Sequence, residues 1–133
     1  MNRFVKATAL VALLTAAGLA MANAMTAKQI MGRLNKGPNA LTPMLGKELR
    51  AGTPDWSEIQ SQTKEYVKLA TELGQAEPPK GDAGSWAKLT KEYAQAAQAL
   101  DDAVQKQNKA GALAAHGKLT RSCTACHRAH RGT

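Results

Sequence analysis

Cys123-Thr124-Ala125-Cys126-His127 contains both cysteines of the 133-residue chain and one of its three histidines. The order and spacing are those of a c-type haem attachment site. Two thiols can each add across a haem vinyl group to form a thioether. The histidine directly after the second cysteine can then take one axial position on the iron. This reading predicts three things of the remaining residues: export to a compartment where haem is attached, a fold around the porphyrin, and a group for the other face of the iron.

The first residues fit export. Arg3 and Lys6 form a short basic region, followed by an apolar stretch from Ala9 through Leu19. Ala22-Asn23-Ala24 matches the small-x-small pattern of a signal-peptide cleavage site, so residues 1–24 are expected to be removed and residues 25–133 to form one domain. The apolar stretch, about a dozen residues, is shorter than the roughly 20 that span a bilayer. No later stretch is long and apolar enough to do so. Losing Arg3 and Lys6 leaves 16 basic residues against 10 acidic ones, a net charge of +6 with the histidines neutral. That balance suits acidic partner proteins. Nucleic acid is disfavoured by the export signal and by the lack of a dense basic run.

Two cysteines in an exported chain also raise other chemistries. A disulfide redox pair of the thioredoxin kind sits at the start of a helix that follows a strand, and no strand pattern precedes Ser122. A zinc site needs two further ligands, for which His116 and His130 are available.

Helical periodicity runs through the rest of the chain. Residues 26–51 read as helix A, capped by Thr26 and interrupted at Gly37-Pro38, with Ile30, Met31, Leu34, Leu41, Met44, Leu45 and Leu49 apolar. Pro43 adds a second expected irregularity. Thr53 and Pro54 open helix B, which runs to Leu73 with Trp56, Ile59, Tyr66 and Ala70 inward; Gly74 is expected to end it in a left-handed cap. A Pro- and Gly-rich loop leads to helix C, residues 85–106, with Trp86, Leu89, Tyr93, Leu100 and Val104 in phase. Helix D, residues 110–129, carries the attachment motif. Four helices with short connections predict an all-α, antiparallel four-helix bundle with haem on its C-terminal helix. Alanine is abundant and only four aromatics follow the leader, so a porphyrin would supply much of the core volume.

The i, i+3, i+4 spacing puts Cys123, Cys126 and His127 on one helical face. His116 lies eleven residues before His127, roughly 16 Å along the same helix, so it is not the distal ligand and a surface or haem-edge role is expected. His130 is excluded because it shares a side of the ring with His127. Methionine sulfur is the remaining strong axial donor. Met31 and Met44 on helix A are the candidates, with core packing the alternative for each; Met25 is a weaker one.

A haem motif near the C-terminus of an exported four-helix chain resembles the class II cytochromes c, the family of cytochrome c prime and its low-spin relatives. The resemblance spans about Lys28 to Arg131. Ser85-Trp86-Ala87-Lys88-Leu89 is similar to the family, as is the basic Arg131 after the haem histidine. His130 stands where the family has an aromatic residue, and Lys28 stands near the place of a usual arginine. The resemblance implies one covalent haem c, held by Cys123 and Cys126, with His127 as proximal ligand. Met31, in Gln29-Ile30-Met31-Gly32, matches the position from which low-spin members ligate the distal face and carry electrons. A non-enzymatic, periplasmic one-electron carrier working with redox partner proteins is therefore expected. The alternative is a five-coordinate, cytochrome c prime-like protein that binds nitric oxide or carbon monoxide. Members of the family often form homodimers.

Overall fold

The computed structural model describes residues 24–132; the expected leader lies outside them, apart from Ala24. The chain is all-α, with five helices and no strand among the described residues: α1 (Ala27–Asn35), α2 (Leu41–Arg50), α3 (Trp56–Gln75), α4 (Ala83–Gln105) and α5 (Lys109–His130). None of them is long and apolar enough to cross a membrane.

Helix A is two helices. The Thr26 hydroxyl accepts from the Gln29 amide at 3.2 Å, and the Gln29 side chain accepts from the Thr26 amide at 2.9 Å, a reciprocal capping box that starts α1. Gly37, at φ +93°, then turns the chain out of helical geometry before α2. Pro43 causes no irregularity. It falls in the first turn of α2, where a backbone N–H has no intrahelical acceptor to lose. Ile30, Leu34, Leu45 and Leu49 on these two helices are fully buried. Truncating any of them to alanine is expected to cost about 2–5 kcal/mol.

The other helices begin one to two residues away from the expected places, because different side chains cap them. Asp55, rather than Thr53, accepts from the Glu58 amide at 3.2 Å and opens α3. Asp82 accepts from the Ser85 amide at 2.7 Å and opens α4, and Asn108 accepts from the Gly111 amide at 3.0 Å and opens α5. Each satisfies a donor that the first helical turn leaves without a partner. Gly74 does not terminate α3. The helix continues to Gln75, and Ala76 closes it at φ −76°. Gly74 serves packing instead, since a Cβ there would meet the Thr90 hydroxyl of α4 at 3.3 Å.

Side-chain contacts fix the helix directions. Between α3 and α4, Thr63 donates to Asp101 at 2.6 Å, the Tyr66 and Tyr93 hydroxyls meet, and the Trp86 indole donates to the Ala76 carbonyl at 2.8 Å; sequence numbers fall on one helix as they rise on the other. The same opposition relates α2 to α5, through His116 on the Thr42 carbonyl and Lys109 on the Ala51 carbonyl. It also relates α4 to α5, through Ser85 on His130 at one end and the short turn at 106–108 at the other. An Arg33–Glu65 ion pair ties α1 to α3. A continuous apolar core runs along these interfaces, and one side of it opens into a cleft between α1, α4 and α5.

Candidate functional site

The cleft has a volume of about 680 Å³, within the range of small-molecule and cofactor sites. Met31, Gly32 and Asn35 line it from α1, Trp86, Leu89 and Tyr93 from α4, and Cys123, Cys126 and His127 from α5. Three of the helices therefore contribute apolar surface to one concavity. A Cβ on Gly32 would meet no atom within 4 Å, so the wall beside Met31 is open.

α5 positions the attachment motif rigidly. The helix is unbroken from Lys109 to His130, and both cysteines are half-buried on its cleft side. The Cys123 thiol donates to the Leu119 carbonyl one turn back, at 3.7 Å. Burial pushes both thiols above their ordinary range, so they are protonated and poor nucleophiles at neutral pH. Both are free. Residues three apart on a regular helix have Cβ atoms about 5–6 Å apart, whereas a disulfide brings them to about 3.5–4.5 Å. Closing the pair would need the two side chains drawn together across one turn of α5. His127 follows on the same face and is exposed.

Of the three candidate methionines, Met31 lines the cleft, whereas Met44 and Met25 do not. Met31 is half-buried, and its sulfur accepts from the Asn35 amide at 3.7 Å.

The two other histidines hold the fold. His116 corrects the expectation of a surface or haem-edge residue: it is 6% exposed and lies against α2, with Nε2 2.8 Å from the Thr42 carbonyl. A carbonyl can only accept, so Nε2 carries the proton. Gly46 makes room for the ring, since a Cβ there would lie 2.9 Å from its Cε1. His130 is 2% exposed, with both nitrogens engaged. Nδ1 donates to the Lys80 carbonyl at 2.8 Å, and Nε2 meets the Ser85 hydroxyl at 3.0 Å. Its ring packs edge-on to Trp86, 5.3 Å between centroids. In this position it does the work of an aromatic residue while clamping the end of α5 to the loop before α4. With His116 and His130 committed in this way, neither is free to join a zinc site, and the described residues contain no group of three or more metal-binding side chains.

A polar chain that sequence patterning did not disclose reaches the cleft wall. The Thr42 hydroxyl lies 3.0 Å from the Tyr66 hydroxyl, which lies 2.5 Å from that of Tyr93. Burial pushes both phenols above their usual value, so they stay neutral at neutral pH. The spacing of Tyr66 and Tyr93 marked them only as inward-facing; nothing in a one-dimensional pattern pairs their hydroxyls.

Cations dominate the lining charge. Lys28, Lys36, Lys118 and Arg131 border the cleft, against the single carboxylate of Glu92. The arrangement thus offers an apolar slot with two thiols, an imidazole and a thioether on its walls and a basic rim. Comparison with protein-family models, curated proteins and solved structures gave no match.

Proposed function

We propose that the cleft holds one haem c and that the protein is a periplasmic one-electron carrier of the class II cytochrome c kind. In this reading α1 and α2 together form the first leg of an antiparallel four-helix bundle, with α3, α4 and α5 as the others. One observation carries the proposal: Met31, on the first helix, and Cys123, Cys126 and His127, on the last, line the same apolar cleft. A structural role for Met31 alone does not call for the attachment motif beside it.

The residues fit the group. Cys123 and Cys126 present thiols on one helical face, each able to add its S–H across a vinyl group to give a thioether. His127, one residue on, is exposed and free to turn its imidazole toward a metal between α5 and α1. Met31 offers a thioether from α1 for the opposite side. Bound there, haem supplies an iron centre that changes by one electron between ferric and ferrous states. Trp86, Leu89 and Tyr93 exclude water from the slot, and the basic rim complements the two carboxylates that haem carries. In this reading the two thiols are taken up in attachment and the imidazole in ligation, so the chemistry it supports is electron carriage with redox partner proteins, acidic ones being favoured by the net charge.

The mass of the exported protein tests this. The expected result is a chain lacking its leader and heavier by one haem, with the addition lost in the Cys123→Ser/Cys126→Ser double variant. Two unmodified thiols in protein produced with a working haem-attachment system would contradict it.

A further inference from the structure

Asn35 is the last residue of α1, one turn beyond Met31, and its side-chain nitrogen lies 3.7 Å from the Met31 sulfur. The i, i+4 spacing places the two side chains on the same helical face, and both line the cleft. Thioether sulfur accepts hydrogen bonds and cannot donate them, so the amide must present its NH₂ group to it; turned over, the amide oxygen would face the sulfur lone pairs. The helix stops directly after this residue, where Lys36 leaves helical geometry and Gly37 takes φ +93°. Asparagine is a weak helix former. Its side chain is not spent on capping the backbone here, since its hydrogen bond runs to sulfur.

We infer that Asn35 is a positioning residue for the Met31 thioether, selecting which sulfur lone pair faces the cleft and withdrawing electron density from it. The inference rests on the reading of Met31 as the distal ligand. A thioether has two lone pairs. With one held by the Asn35 N–H, the other is the one available to a metal, which fixes the handedness of the sulfur. The N–H also makes the sulfur a poorer donor. A poorer donor favours ferrous over ferric iron, because the ferric ion has the greater demand for ligand electrons. A hydrogen bond donated to an axial ligand is one lever on haem potential.

The test uses the haem-loaded protein and two variants, Asn35→Leu, which keeps the size and removes the donor, and Asn35→Gln, which keeps the donor. A sulfur-to-iron absorption band in the unmodified ferric protein is read first. Its absence removes the Met31 reading, and this inference with it. With the band present, Asn35→Leu is expected to keep it while moving the redox equilibrium about threefold to tenfold toward ferric, a tenfold change being 59 mV for one electron. The paramagnetically shifted haem methyl resonances are expected to change their order or average, reporting two sulfur orientations where there was one. Asn35→Gln is expected to stay within about twofold of the unmodified protein. Both variants moving alike, or neither moving, overturns the role of Asn35 and leaves Met31 ligation standing.

Discussion

The hydroxyls of Tyr66 and Tyr93 stand 2.5 Å apart, joining α3 to α4 beside the cleft. Burial raises both phenols above the ordinary value of 10.0; for Tyr66, hydrogen bonds from Thr42 and Tyr93 oppose part of that rise. The folded chain therefore holds these protons more tightly than the unfolded chain does. As pH rises past the unfolded phenol value, the unfolded state loses its protons first and is favoured. Stability contributed by the pair is complete below that value and falls above it. Urea unfolding measured on both sides of pH 10.0 should show this decline, and Tyr93→Phe should flatten it.

His116 and Gly46 form a matched pair between α5 and α2. Replacing His116 by leucine removes its bond to the Thr42 carbonyl and should cost about 1–2 kcal/mol. Gly46→Ala pushes a methyl group to 2.9 Å from the imidazole and should cost about 1–3 kcal/mol. The two losses should not add. In a His116→Ala background the imidazole clash has gone and only the flexible end of the Arg50 side chain, 3.0 Å from the new Cβ, has to shift, so Gly46→Ala should cost much less there, a result a double-mutant cycle reads directly.

Gly37 and Gly81 both have left-handed backbones, at φ +93° and +86°, yet alanine should affect them unequally. Around Gly37 a Cβ meets nothing within 4 Å, so only backbone strain of about 1–2 kcal/mol is expected. At Gly81 the same Cβ would lie 2.7 Å from the Ala129 carbonyl and 2.8 Å from the His130 ring. Neither neighbour can yield without breaking the clamp on α5. Gly81→Ala should therefore cost about 2–4 kcal/mol, measured by thermal unfolding, and should loosen the end of the helix that bears His127.

Electron exchange with an acidic partner should slow as salt is added, because the attraction acts across a Debye length of about 8–10 Å at moderate ionic strength. Lys118→Glu, at the rim of the cleft, should weaken association mainly through the on-rate. Stopped-flow measurements at two salt concentrations would show a shallower salt dependence in the variant.

Helix positions were largely legible because each stretch repeats apolar residues at helical spacing, and the Gly37-Pro38 break was visible for the same reason. The exact starts were not. More than one residue that can cap a helix stands before α3 and α4, and it is Asp55 and Asp82 whose side chains accept from the first turn. Gly74 looked like a stop signal, but its lack of a side chain serves the approach of α4 instead. His116 looked superficial because its partners, Thr42 and Gly46, are on another helix and leave no periodic trace. The cleft-lining groups were easier. Spacing within one helix places Cys123, Cys126 and His127 together, whereas preferring Met31 to Met44 rests on the family resemblance; of the two, Met31 lines the cleft.

The proposed function turns on Met31 and His127 holding opposite faces of one covalently attached haem. The visible spectrum of the purified ferric protein, recorded before and after Met31→Ala, tests it most directly. A low-spin spectrum is expected, with a weak sulfur-to-iron band near the red end that is present in the unmodified protein and absent in the variant. A high-spin spectrum in the unmodified protein that shifts readily on adding nitric oxide or carbon monoxide would contradict it.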